Sequence, residues 1–206
     1  MTIQSNSLSG SFFWRKLLAG AGVMAVVLGG ISPAWAANGS WLGTTNGSWA
    51  TTGNWSATPA PTTNELATFN GAGNGNRTID LGAGVTIRSL VFDTANAAAY
   101  TIGSGAVGSQ TLTLNVAGWN REQGGITVNS TVTNNQLFNA NVVLGADASA
   151  YGHYITNAST AATLTLAGNV SGGSGGSAGA NTLYLGGAGN TVISGTIGRD
   201  RKSTRL

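Results

Sequence analysis

Short alternations of apolar and polar residues fill the chain from residue 77 to residue 198. Gly-rich turns divide the segments, which include RTIDL, SLVFD, YTIG, TLTLNV, GITVNSTVT, NVVLGA, TLTLAG, TLYLGG and NTVISGTI. A period of two is typical of β-strands that bury one face, and no stretch after residue 36 has the 3.6-residue period of an amphipathic helix. The pattern therefore predicts an all-β fold.

The apolar side of these alternations predicts the core. We expect the following side chains to face one interior: Ile79, Leu81, Leu90, Phe92, Leu112, Leu114, Val116, Ile126, Val128, Leu164, Leu166, Leu183, Leu185, Ile193 and Ile197. The Thr, Ser and Asn residues between them would then face outward, as in a sheet with one buried face.

Many short strands with regular turns are compatible with a sandwich, a barrel or a solenoid. Three observations favour the solenoid. The segments TLTLNVAG, TLTLAGNVSGG and TLYLGGAGN look like imperfect copies of one strand-and-turn unit, which is typical of a repeat. Thr and Asn recur beside the apolar positions, where stacked coils could align them into hydrogen-bonded ladders. Charged residues make up only 7% of the chain, so stacked rungs would seldom bring like charges together.

The sequence therefore predicts a parallel β-helix, also called a β-solenoid, over residues 77–198. At about 20 residues per coil, this range would make about six coils.

Residues 37–76 form a different segment, in which Trp41, Trp49 and Trp55 lie among Gly-Ser and Gly-Asn turns. The first coil of a solenoid exposes apolar core and open strand edges, so we expect this capping segment to cover it. The alternative is that the three indole rings are exposed and stack on sugar rings.

Residues 1–36 have the three parts of a secretory signal peptide. Arg15 and Lys16 provide the positive flank, and the stretch from Leu17 to Ile31 is apolar. Such a stretch in a helix reaches only about 22 Å, which is short of the ~30 Å hydrocarbon core that a membrane anchor must span. We therefore predict an exported protein that engages the secretion machinery through this segment.

Small residues mark the end of the predicted signal peptide. Ala34 and Ala36 flank a tryptophan in the small-x-small arrangement of a cleavage site. The expected cut lies between Ala36 and Ala37, so Ala37 would begin the mature chain.

The net charge of +3 comes from the two ends of the chain. Residues 37–199 contain four arginines and five carboxylates, which leaves no basic stripe for nucleic acid. We therefore exclude a nucleic-acid partner.

The basic tail has a separate explanation. Residues 200–206, DRKSTRL, can be back-translated into a widely used sequencing-adapter oligonucleotide, with its first base in the codon of Arg199. We interpret residues 199–206 as read-through into such an oligonucleotide, with the adapter proper beginning at Asp200. The alternative is a basic tail that binds an anionic lipid or polysaccharide.

Residues that could carry out catalysis or bind a metal are few. His153 is the only histidine and there is no cysteine, whereas a zinc site needs several such ligands, so we expect His153 to be a turn or surface residue. Asp80 and Asp93 could stack on adjacent coils as a pair of the glycosidase kind, but we expect each to cap a strand at a turn. The sequence thus predicts no catalytic, metal or cofactor site.

The segments TLTLAGNVSGGSG, NTVISGTI and GSWATTGNWSATPAPTTNELATF resemble the autotransporter-associated β-strand repeat proteins of bacteria, and the similarity covers most of residues 40–198. The resemblance implies a right-handed parallel β-helix that is secreted and displayed at the cell surface. In the complete proteins a C-terminal outer-membrane β-barrel or a sorting anchor commonly follows, so we expect one in the full-length protein.

These observations predict an exported surface protein, structural or adhesive and not an enzyme, with polymers of a host or matrix surface as partners. The alternative is a carbohydrate-active or carbohydrate-binding β-helix. Polysaccharide lyases with this fold usually use calcium-binding carboxylates and a basic catalytic residue, but residues 37–199 contain no lysine and their arginines are scattered.

Overall fold

The computed structural model describes residues 37–115, 124–145, 152–173 and 182–198. A 3₁₀ turn at Thr52–Asn54 is the one helical element within these ranges. The same ranges contain sixteen β-strands: β1 Gly39–Ser40, β2 Leu66–Phe69, β3 Thr78–Ile79, β4 Val85–Ile87, β5 Ser89–Phe92, β6 Thr101–Ile102, β7 Thr111–Leu114, β8 Gly125–Val128, β9 Gln136–Phe138, β10 Asn141–Leu144, β11 His153–Asn157, β12 Leu164–Leu166, β13 Val170–Gly172, β14 Leu183–Gly186, β15 Thr191–Ile193 and β16 Ile197–Gly198.

The strands form three parallel sheets. The first sheet has the order β1-β2-β5-β8-β11-β14, the second β15-β12-β9-β6-β3, and the third β16-β13-β10-β7-β4. From β2 onward each successive strand belongs to the next sheet, so the chain winds as a solenoid of five coils with three strands each. The predicted all-β fold of stacked parallel strands is confirmed. At a strand spacing of about 4.8 Å, five coils give a stack about 24 Å high.

The coils are longer than the sequence predicted. In the first sheet Ser89 pairs with Gly125, which in turn pairs with Tyr154 one coil later. In the third sheet Val142 pairs with Val170. Partners in register thus lie roughly 30 residues apart along the chain, within the range usual for solenoid repeats. The expectation of about 20 residues per coil, and hence of six coils, is therefore wrong.

The apparent sequence copies explain this error. The segment TLTL at 111–114 is β7 in the third sheet, TLTL at 163–166 contains β12 in the second, and TLYL at 182–185 contains most of β14 in the first. The copies are therefore different sides of the coil, not the same side of successive coils. A full coil needs three strands and three turns, of which this unit supplies only one strand.

Alternate residues of each strand point into the coil and align in rows along the solenoid. One row of the first sheet runs through residues paired in register: Ala67, Leu90, Ile126, Ile155 and Leu185. Full burial of a large aliphatic side chain contributes roughly 1.5–3 kcal/mol, so each coil stabilises the two beside it through these rows.

Most of the predicted core is confirmed. The buried members are Ile79, Leu81, Leu90, Phe92, Leu112, Leu114, Ile126, Val128, Leu164 and Leu166. Val116 lies outside the described residues. In the last coil Leu183 and Ile193 are partly buried, whereas Leu185 and Ile197 are 50% and 60% exposed. These four continue the rows of the core, but no later coil covers them within the described residues.

Aromatic rings form a column inside the first three coils. The ring of Phe69 lies 5.4 Å from that of Phe92 and 5.0 Å from that of Tyr100, measured between centroids. Phe92 in turn meets Phe138 edge-on at 6.0 Å. Because such pairs contribute beyond their buried area, the column holds these coils in register.

Consecutive coils approach most closely at the turn between the second and third sheets. A β-carbon on Gly168 would overlap the carbonyl oxygen of Ala140, and one on Gly195 would overlap the carbonyl oxygen of Gly168. Only glycine fits where one backbone lies directly on the next, which explains part of the glycine content.

Some sequence predictions lie outside the described residues. These are the signal peptide of residues 1–36, with Ala34 and Ala36 at its cleavage site, and the tail of residues 199–206. Ala37, on the other side of the predicted cut, is the first described residue and is exposed. Within the described ranges, the structure contains no helix with the length and apolar character needed to cross a membrane.

Candidate functional site

The three tryptophans of the capping segment are buried, and each indole N–H has a backbone partner. Nε1–H of Trp41 donates to the carbonyl oxygen of Asn76 at 2.9 Å. Nε1–H of Trp49 donates to Pro61 at 3.0 Å, and Nε1–H of Trp55 donates to the carbonyl oxygen of Trp49 at 2.8 Å. A buried Trp usually needs such a partner, and here the protein itself supplies it.

The same rings begin the aromatic column. Trp55 lies edge-on to Trp41 and Trp49, with centroids 5.0 and 4.5 Å apart. All three rings lie 6.0 to 6.4 Å from Phe69. They therefore cap the apolar core of the first coil. The alternative that they stack on sugar rings is wrong in this structure, because buried rings have no face to offer a ligand.

The capping segment also covers strand edges of the first coil. β1 pairs with β2 in the first sheet. In the second sheet Trp49 N–H donates to the carbonyl oxygen of Asp80 at 2.9 Å, and Asp80 N–H donates to that of Gly47 at 2.8 Å. Backbone groups that would otherwise form an open edge are paired in both sheets.

The carboxylate of Asp80 is part of a polar cluster that joins the first two coils. It accepts hydrogen bonds from Gly82 N–H at 2.9 Å and from the side-chain amide of Gln110. The Gln110 oxygen accepts N–H groups from Leu81 at 3.0 Å and Ser104 at 2.8 Å. The hydrogen bond from Gln110, and after it that from Gly82, lowers the pKa of the Asp80 carboxyl.

Asp93 occupies a different corner of the solenoid. It follows β5 of the first sheet, whereas Asp80 follows β3 of the second sheet. Its carboxylate accepts hydrogen bonds from Thr94 N–H at 2.9 Å and from the Asn129 amide at 2.8 Å. The structure therefore does not bring the two aspartates together. Each binds backbone N–H just after its strand, as expected from the sequence.

His153 is buried at the start of β11, and its Nε2 lies 3.1 Å from the carbonyl oxygen of Leu114. The expectation of a turn or surface residue is wrong. His153 is in phase with the buried residues Ile155 and Asn157, so the alternation over HYITN was the signal that predicts its inward position. Within the described ranges, His, Asp and Glu side chains form no group of three that could hold a metal ion.

The outward faces of the sheets carry rows of uncharged side chains. One row of the third sheet contains Thr86, Thr113, Val143 and Ser171. One row of the second sheet contains Thr101, Leu137, Thr165 and Val192. Successive members of a row are one strand spacing apart, about 4.8 Å. The rows offer hydroxyl groups and apolar surface rather than acids or bases.

The first sheet adds an aromatic pair to this surface. Tyr154 and Tyr184 are paired in register on β11 and β14, and their rings stack with centroids 4.6 Å apart and an interplanar angle of 14°. Tyr184 is 48% exposed. A β-carbon on Gly152 would overlap the Tyr184 ring, whereas one on Gly186 would meet no atom within 4 Å. The pair is thus packed on glycine on one side and has open space on the other.

Such a pair can bind a neutral ring, because aromatic faces and edges attract C–H groups and phenolic hydroxyls exchange hydrogen bonds. Sequence reasoning missed it. Tyr154 and Tyr184 each precede an aliphatic residue in YIT and YLG, but their spacing along the chain has meaning only when the coil length is known.

Comparisons of the chain with protein-family models, with curated proteins and with solved structures find no match. The resemblance to autotransporter-associated β-strand repeat proteins therefore stays a prediction from the sequence.

Proposed function

We propose that this chain is the solenoid of an exported surface protein whose role is structural or adhesive rather than catalytic. The observation that carries the proposal is the outward surface, on which rows of Thr, Ser and apolar residues repeat from coil to coil beside the Tyr154–Tyr184 pair. A repeated neutral surface is suited to a repetitive polymer, since many weak contacts add up to firm attachment.

The distribution of charge supports contact rather than long-range attraction. With 7% charged residues over the chain, electrostatic steering is weak, and adhesion would depend on hydroxyl and aromatic contacts at short range. The proposed partners are polymers of a host or matrix surface. The secretion machinery would act through residues 1–36, and a C-terminal barrel or anchor of the full-length protein would hold it at the outer membrane.

Adhesion is tested by retention of the exported chain on insoluble polysaccharides such as cellulose and chitin. We expect retention that changes little between about 0.1 M and about 1 M salt, because few charges take part. Tyr184→Ala should weaken it. Val107→Ala is the matched control, since Val107 is also exposed but lies away from the pair, in the turn before β7. Equal retention of the two variants, or no retention of the parent, contradicts the proposal.

A carbohydrate-active solenoid is the second candidate, and the exposed tyrosine pair is the observation that favours it. The two functions differ in their products. Incubation with soluble forms of the same polysaccharides should release no new reducing ends and no unsaturated sugars if the protein only adheres. Release that Tyr184→Ala abolishes would favour the second candidate over the first.

Export is tested independently of adhesion. Mass spectrometry of protein from the periplasm or medium should show a new N-terminus at Ala37. Cytoplasmic protein that retains Met1 would contradict both the signal peptide and the proposed compartment.

A further inference from the structure

The last coil exposes apolar side chains of a kind that is buried in the preceding coils. Leu185 continues the inward row of Ile155, and Ile197 continues that of Val170. Ile155 and Val170 are buried, whereas Leu185 and Ile197 are at least half exposed. Among the described residues, five large apolar side chains are exposed, and four of them belong to this coil: Tyr184, Leu185, Val192 and Ile197.

This coil also presents three open strand edges, because β14, β15 and β16 each stand last in their sheet. In β15 the neighbouring backbone bonds run from Leu164 N–H to Asn190 and from Ser194 N–H to Leu166. Alternate residues of a parallel strand turn their N–H and C=O groups to opposite sides. Thr191 and Ile193 therefore direct theirs to the open edge. A matching partner must supply backbone donors and acceptors as well as apolar side chains, which means that it presents β-strands.

The surface is compatible with a copy of itself. Residues 182–198 contain no charged side chain, so no like charges oppose close approach of two identical coils. The other end of the solenoid carries the tryptophan cap, with β1 paired to β2. A single open end that binds itself closes as a two-fold dimer, whereas an open end that binds a different surface leads to a filament.

We propose that a second copy of this chain docks on the last coil, with β14 to β16 of one protomer facing β14 to β16 of its partner. The two-fold axis lies perpendicular to the solenoid axis, so β14 runs antiparallel to its copy. Leu185 and Ile197 of both protomers are buried at the interface. This dimer does not depend on the proposed adhesive function.

Sedimentation velocity of the purified exported chain over a range of concentrations tests the dimer. We expect a mass that approaches twice that of the chain as concentration rises. Leu185→Lys and Ile197→Lys should each shift the chain to the monomer, because two lysines would face each other across the two-fold axis. Val107→Lys is the matched control, since it places the same charge at an exposed apolar position in the turn before β7, and it should remain dimeric.

Hydrogen exchange of the unaltered chain provides a readout that needs no variant. The amides of Thr191 and Ile193 should exchange quickly in dilute solution and slowly at high concentration. A monomer at every concentration overturns the proposal, as does a dimer that both lysine variants leave intact. Masses that grow beyond two copies, or exchange at these amides that does not depend on concentration, overturn it as well.

Discussion

The side-chain oxygen of Asn141 accepts a hydrogen bond from the backbone N–H of Asn169, one coil later, at 2.9 Å. The pattern continues upward, since the Asn169 oxygen accepts the N–H of Thr196 at 3.0 Å and its hydroxyl at 2.9 Å. It also continues downward, since the Asn141 amide donates to the carbonyl oxygen of Gly108 at 2.9 Å. This is a hydrogen-bonded ladder of the kind that the recurrence of Asn and Thr predicted.

Asn141→Ala removes two ladder bonds and should lower the free energy of unfolding by about 1–2 kcal/mol, because each such bond contributes about 1 kcal/mol. The comparison is Val143→Ala, which shortens an outward, half-buried side chain on the same strand and should cost less. Urea unfolding of both variants measures the difference. Equal midpoints would mean that the ladder does not stabilise the stack.

Charges inside the coil should be far more costly than charges outside it. Leu114→Lys places an unpaired ion in the core, and we expect a loss of about 4 kcal/mol or more, with Leu166→Lys behaving alike. Thr113→Lys is the matched control, since Thr113 lies next to Leu114 but points outward. The control should change stability by less than about 1 kcal/mol. Two fully stable core variants would refute the inward rows.

The lowered pKa of Asp80 predicts a contribution to acid sensitivity. The carboxylate is stabilised in the folded state, so this contribution is present above the unfolded pKa of about 3.9 and is lost as pH falls through the lower folded pKa. Asp80→Asn should therefore flatten the fall of the urea midpoint below about pH 4. Asp93→Asn serves as the comparison for removal of one exposed carboxylate. If Asp80→Asn and the parent lose stability in parallel over this range, the prediction is wrong.

Tyr100 predicts an effect at the alkaline end. Burial raises the pKa of Tyr100 to about 12, although Arg77 acts in the opposite direction. The folded state then holds a proton that the unfolded chain releases near pH 10, so stability falls as pH rises from about 10 to about 12. The hydroxyl also donates to Asn74 at 2.9 Å.

An ultraviolet titration of the parent chain minus that of Tyr100→Phe isolates this phenol. The difference should show phenolate formation near pH 12, and Tyr100→Phe should lose less stability than the parent over the same range. Phenolate formation near pH 10 in the folded protein would contradict the buried position of this hydroxyl.

Local sequence was sufficient to predict the inward and outward sides of most strands. Leu112 and Leu114 alternate with threonines, and a strand turns successive side chains to opposite faces whatever it pairs with. The capping role of the tryptophans was predicted by the same kind of reasoning, because large apolar rings at the start of a solenoid have an open core to cover. The parallel solenoid followed from repetition and from the scarcity of charge.

Only the tertiary structure decided which strands lie side by side. The similar segments at 111–114, 163–166 and 182–185 fall in three different sheets, because the turns between strands, and not the strands themselves, set the length of a coil. Register between residues a full coil apart depends on those turns, whose lengths do not follow from alternation. The stacking of Tyr154 on Tyr184 and the exposure of Leu185 therefore became visible only once the coils were stacked.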